Sequence, residues 1–153
     1  MVDVRTLPEI MQHHLNEVEC PVLENKPWVR GGPLKERRIA IVSSAGLHLR
    51  SDQHFTGGDH SYRVIPNGTD PDDILMSHVS VNYDRTAYQQ DINVVFPMKH
   101  LADMAEEGLI GSVASNHYSF MGATDPREME DDARQLAGVL KSDQVDSVIL
   151  LPV

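Results

Sequence analysis

The run Ile39-Ala40-Ile41-Val42 is continuously apolar and mostly β-branched, and it closes on Ser43-Ser44-Ala45-Gly46-Leu47-His48. Such a run, bounded by a turn signal, predicts a strand buried on both faces, as in a parallel sheet. Comparable apolar runs predict strands over Leu109–Ala114 and over Val145–Val153. Weaker patterning predicts short strands at Ser61–Pro66, the first of them an edge strand, and at Met76–Val81. Asp70-Pro71 predicts a short helical turn. Helical spacing joins Met11, Leu15 and Val18 behind Thr6-Leu7-Pro8-Glu9, which reads as N-cap threonine, first-turn proline and capping-box glutamate. A second helix is predicted from about Met98 to Glu107, with Leu101, Met104 and Ala105 inward and Gly108 closing it. Asp125-Pro126-Arg127-Glu128 predicts the start of a third, with Met129, Ala133, Leu136, Ala137 and Leu140 facing the core.

These elements predict an N-terminal helix with an extended connector over residues 1–37, then an α/β domain over residues 38–153. Trp28, in the proline- and glycine-rich connector, is expected to plug the domain surface. The strand–helix–strand run from Leu109 to Val153 reads as a βαβ unit. The expected architecture is a mostly parallel sheet with flanking helices, Rossmann-like or flavodoxin-like, and possibly an incomplete half of one. The glycine-rich segment Arg50–His60 is too polar for regular structure, and long loops of this kind are often functional.

Charge narrows the partners. A formal net charge of −10 and a pI near 5.1 leave no basic block to neutralise phosphates, so neither nucleic acid nor an anionic membrane is expected. No apolar stretch approaches the roughly 20 residues of a spanning helix, and a cytoplasmic protein is the expectation. Cys20 is the single cysteine, which excludes an internal disulfide or a multi-thiol metal site.

Ligands of open α/β sheets bind beyond the carboxyl ends of the strands. If Ile39–Ser43, Leu109–Ala114 and Val148–Val153 are parallel neighbours, that edge gathers Ser43, Ser44, His117, Tyr118 and Ser119, with His48 at its mouth. Loops carrying His78, Asp84 and Arg85 could fold over it. The set offers acid–base groups and, in Arg85, a carboxylate clamp. The histidines lack helical i, i+4 metal spacing, so no metal is expected. There is no G-x-S-x-G elbow, which leaves Ser44 and Ser119 as the only plausible nucleophiles.

Three stretches are more specific: Arg85-Thr86-Ala87-Tyr88-Gln89-Gln90-Asp91-Ile92-Asn93-Val94-Val95-Phe96-Pro97, Glu107-Gly108-Leu109-Ile110-Gly111 and His117-Tyr118-Ser119-Phe120-Met121-Gly122. With Gly46-Leu47-His48-Leu49-Arg50 and Ser77-His78, they resemble the selenoprotein B family of glycine, sarcosine, betaine and D-proline reductases, most closely its short proline-reductase-type subunit. The resemblance runs from about Pro27 to Val153. It implies dithiol-dependent reductive C–N cleavage of a small amino-acid-like substrate. It also implies a selenocysteine or cysteine just after a strand like Val148–Val153, and a partner subunit bearing a pyruvoyl group. No catalytic redox residue is expected among these 153 residues, and the chain alone is expected to be inactive, as a truncated reductase subunit. A complete non-catalytic subunit or binding module is the alternative, and an acid–base isomerase or lyase acting on a small amino acid is a third reading. The apolar last strand predicts a homo-oligomer.

Overall fold

The computed structural model describes residues 4–17, 22, 26–80 and 85–153. The chain divides into two compact units, Met1–Arg30 and Gly31–Val153. In the first, a single 3-10 turn at Val4–Thr6 precedes helix α1, Glu9–Glu17. The Pro8 carbonyl accepts the N–H groups of Met11 and Gln12, so the helix is entered at Pro8, and Thr6 belongs to the turn before it. Val18 and Cys20 lie outside the described residues. Trp28 belongs to this first unit and is exposed within it.

The second unit is built on β1, Arg38–Ser43. One side of β1 pairs in parallel with β7, Ser147–Leu151. Its other side pairs in parallel with β5, Ser112–Val113, and then with β6, Asn116–Ser119. Strand β3, Arg63–Pro66, adds to β6 in antiparallel sense. A separate antiparallel ribbon joins β2, Leu47–Leu49, to β4, Ile74–Met76. The predicted parallel pairing about β1 is present, but the fold is α/β with a mixed sheet, because β3 reverses direction. Helices α2, Thr86–Gln90, and α3, Met98–Glu106, precede β5, and α4, Glu130–Ser142, connects β6 to β7.

One face of the sheet carries Ile39 and Ile41 against Phe96, Met98 and Leu101. The other carries Tyr118 and Phe120 against Leu136 of α4, with Val42, Tyr62 and Met129 alongside. Burial of this kind contributes roughly 1.5–3 kcal/mol per large side chain. Ala133 and Ala137, expected inward, are exposed, because the buried line of α4 runs through Leu136 and Leu140.

Several boundaries move for identifiable reasons. Leu109 and Ile110 send their N–H groups to the Met104 carbonyl and so close α3, which leaves only Ser112–Val113 of the predicted Leu109–Ala114 strand. Asp125 caps a turn through Arg127 N–H (2.9 Å), and α4 begins later, at Glu130. The strand expected at Met76–Val81 is displaced to Ile74–Met76 by its pairing with β2, itself unforeseen. β7 pairs only with β1 among the described residues, and its outward Leu150 is 68 % exposed.

The start of the sheet is fastened by one charged cluster. Arg38 Nη2 donates to Asp143 Oδ1 (2.7 Å) and to Ser115 Oγ (2.9 Å), while Arg38 Nη1 donates to the Val113 carbonyl (2.7 Å). Asp143 also accepts Ser115 N–H (2.7 Å), and the Arg38 hydrogen bond is the first cause holding its carboxyl below the ordinary range. Asp143→Ala should cost about 1.5–3 kcal/mol, the value of a hydrogen bond to a charged group. Denaturant melts of Asp143→Ala, Arg38→Ala and the double variant check this. The double variant should cost less than the sum of the two singles.

Candidate functional site

Beyond the carboxyl end of β1, side-chain hydroxyls take over from the backbone ladder. Ser43 Oγ donates to the Val95 carbonyl (3.0 Å) and accepts Ala45 N–H (3.2 Å). Ser119 Oγ accepts Leu47 N–H (2.9 Å). Ser44 uses each of its polar groups: its N–H donates to the Leu151 carbonyl (3.0 Å), its carbonyl accepts Gly122 N–H (2.9 Å), and its Oγ accepts Val153 N–H (2.8 Å). Gly122 is required by the closeness of this junction. A Cβ there would stand 2.8 Å from the Ser44 carbonyl oxygen and 2.9 Å from that of Val153. Gly122 was not singled out as a site residue, and only its place within the His117–Gly122 motif could have suggested it. The junction borders an apolar groove walled by Val42, Phe120, Met129, Leu150 and Pro152, with Ser43 and Ser44 at its floor.

His117 has a different task. β1 pairs Arg38 and Ile39 with Ser112 and Val113, then resumes at Val42 and Ser43 with Tyr118 and Ser119. Four residues, Ala114 to His117, therefore stand opposite two, Ala40 and Ile41. Ala114 N–H still reaches the Ile39 carbonyl (2.9 Å), but Ile41 N–H has no carbonyl to meet. The His117 ring supplies the acceptor, with Nδ1 3.1 Å from Ile41 N. That contact requires the neutral tautomer protonated at Nε2, which donates to Asn67 Oδ1 at 3.4 Å. The ring is fully buried and packs edge-on against Phe96. Burial lowers its pKa to about 4.

The remaining candidates separate. His48 sits in β2 opposite Leu75, with Nδ1 2.8 Å from the Leu49 carbonyl oxygen and its ring edge-on to Phe55. His78 lies against Gly46, whose positive φ (67°) and missing Cβ admit the His78 backbone. His78 Nδ1 accepts Ser80 N–H (3.2 Å), and Arg85 Nη2 donates to the His78 carbonyl. Burial first, and then the Arg85 charge, lower the His78 pKa. Tyr118 faces the α4 side against Tyr62 and Phe120, and burial raises its pKa. Asp84 lies outside the described residues. The eight described candidates thus divide among the strand-end junction (Ser43, Ser44, Ser119), the ladder break (His117), the opposite core face (Tyr118) and the ribbon side (His48, His78, Arg85). The apolar groove itself takes in only Ser43 and Ser44 of the set.

A family model described as glycine/sarcosine/betaine reductase selenoprotein B matches residues 62–152, and the chain belongs to that family. It is also 32 % identical over 139 residues to the D-proline reductase subunit gamma of Acetoanaerobium sticklandii, an alignment covering 88 % of this chain and 57 % of that relative. The chain therefore spans less than two thirds of the relative's length. No solved structure matches the chain. Among the described residues, no helix is long and apolar enough to cross a membrane.

The ladder-bridging histidine sets a pH dependence. Unfolded, the ring titrates near 6.5, whereas folded it stays neutral down to about 4. The unfolded state binds the extra proton as pH falls through this window, so stability present above 6.5 is lost on acidification. His117→Asn keeps an acceptor near Ile41 N–H and removes the titration. Between pH 7.5 and 5 the parent should lose about 2 kcal/mol more than His117→Asn, measured by urea unfolding at each pH.

Proposed function

We propose that the chain supplies the α/β scaffold of a selenoprotein B-type reductase, with the redox residue of the family held outside these 153 residues. The observation that carries this reading is the strand-end junction. Ser44 and Gly122 fasten the backbone of Val153 at the carboxyl edge, next to an apolar groove. A residue following there would be fixed in direction and shielded on one side, which suits a selenocysteine or cysteine. In reductive C–N cleavage, a dithiol becomes a disulfide, and its two electrons and two protons convert the C–N bond into a C–H and an N–H bond. The selenol or thiol supplies the nucleophile of that exchange, and this chain's part is to hold its backbone and exclude water from one flank.

The substrate is proposed to be a small amino acid or betaine, and the partner a subunit bearing a pyruvoyl group. The acid–base alternative has less support, since the hydroxyls of Ser43, Ser44 and Ser119 hold backbone groups and His117 is a buried acceptor. The purified 153-residue chain should show no dithiol-dependent reduction of D-proline or glycine, because Cys20 is its only cysteine. Turnover by that chain alone would overturn the proposal.

Self-association is proposed through the open side of β7. Leu150 and Val148 present apolar surface there, and soluble proteins normally protect such edges. The net charge opposes contact, but its reach is only about 8 Å at physiological salt. A dimer is the expected state by sedimentation at micromolar concentration, with a tetramer next. A clean monomer would reject the idea.

A further inference from the structure

The glycine-rich segment 50–60 is organised by one residue of β3. Arg63 Nε donates to the Gln53 carbonyl (2.9 Å), and its guanidinium carbon lies 4.2 Å over the Phe55 ring. Arg63 Nη2 donates to Asp59 Oδ2 (2.8 Å), while Asp59 Oδ1 accepts the N–H and the hydroxyl of Ser61, at 3.0 and 2.6 Å. The loop therefore ends in a braced pair, Asp59-His60, and that pair reaches the stretch leading into α4 at two places. The Asp59 carbonyl accepts the hydroxyl of buried Thr124 (2.8 Å). His60 Nδ1 stands 2.6 Å from Asp132 Oδ2, in the first turn of α4. Between these two attachments lies Met129, which walls the apolar groove at the strand-end junction and packs beside Tyr118 and Phe120.

The two attachments differ in kind. The Thr124 bond contains no titratable group, whereas the second depends on the charge of an imidazole. The charges acting on His60 are all acidic: Asp132 on α4, Asp59 on its own loop, itself paired with Arg63, and Glu128 on the turn before α4. The hydrogen bond to Asp132 is the first cause that raises the His60 pKa, and burial opposes it. A protonated ring gives Asp132 a charge-assisted hydrogen bond. A neutral ring has one proton for two nitrogens, so the bond either loses that assistance or sets a lone pair against the carboxylate.

We propose that His60 and Asp132 form a proton-operated clasp that holds the Met129 wall of the groove: closed while the ring is charged, slack once it is neutral. Thr124 is the fixed end about which the stretch relaxes. The clasp concerns the shape of the groove and stands whatever chemistry the groove serves. Its contribution is complete below 6.5, the unfolded histidine value, and is lost as pH rises through the higher folded pKa. His117 works in the opposite sense, since its contribution is lost on acidification.

Histidine-ring and methionine-methyl NMR on the 153-residue chain, followed between about pH 5.5 and 8.5, tests the clasp. The His60 ring should titrate above 6.5, and the Met129 methyl signal should move with the same midpoint. His60→Asn keeps an N–H donor for Asp132 without a titration, so its Met129 signal should show no such step. Asp132→Asn keeps the ring but removes the charge. It should lower the His60 midpoint and shrink the Met129 excursion at least about threefold. The His60 side chain is more than half exposed, and a cooperative melt of each variant checks that it is folded. A Met129 signal that ignores the His60 titration, an equal step in His60→Asn, or an unchanged His60 midpoint in Asp132→Asn would each overturn the proposal.

Discussion

A peptide N–H removed from water must find an acceptor, and in this domain that requirement falls hardest on Ile41. β1 is flanked on both sides by parallel strands, and Ile39, Ala40 and Ile41 in its middle are buried. Where the neighbouring chain inserts extra residues between β5 and β6, the carbonyl that should meet Ile41 moves out of reach. Leaving the N–H unmade would cost roughly 1–3 kcal/mol, more than most single contacts contribute. The imidazole of His117 fills the gap, and the geometry then dictates its charge state. A ring that accepts at Nδ1 and is enclosed by Phe96 has no room for a second proton. The Arg38–Asp143–Ser115 cluster fastens the same irregularity from the solvent side. The break is therefore held from within by a neutral ring and from outside by an ion pair.

Part of this arrangement can be read from residue order. The β-branched run at Ile39–Val42 announces a parallel strand because burial on both faces tolerates such continuity, whereas the equally apolar β7 is parallel too but leaves Val148 and Leu150 exposed. Gly108 after an amphipathic stretch likewise marks the end of α3, and its positive φ of 70° is the physical reason. The divided strand could not be read in the same way. Leu109 and Ile110 look like strand residues by composition, and only the capping bonds to Met104 withdraw them from the sheet. β2 was hidden for a related reason. Leu47-His48-Leu49 is too short to show a period, and its partner β4 is distant in sequence. The family resemblance rested on extended motifs and needed none of these boundaries to be correct.

At the carboxyl edge, position alone does not assign a role. Ser44 and Ser119 are attractive as nucleophiles, and Ser43 as a binding or acid–base group, because they stand at strand ends, where α/β proteins keep their chemistry. The same position is where a sheet runs out of backbone partners. Serine hydroxyls are short enough to replace a missing carbonyl or amide without disturbing the chain path, and all three are used in that way. A hydroxyl engaged with a buried peptide group is held away from a base and lowers the backbone's energy by staying there. Ser43 gives its proton to the Val95 carbonyl (3.0 Å), whereas Ser44 and Ser119 hold the junction by accepting the N–H groups of Val153 and Leu47.

The consequence reaches the chemistry. A site whose hydroxyls and imidazole are committed to backbone can still position a reactive group, provided that group arrives on a segment the junction holds. Ser44 Oγ holds Val153 by accepting its N–H, and Gly122 permits the approach by presenting no side chain. The surrounding groove is lined mostly by hydrocarbon, so a charge placed in it would be poorly solvated. A neutral histidine, tied serines and an apolar wall together make a poor acid–base centre. The proposed redox role asks of them only that they hold Val153 in place beside that wall.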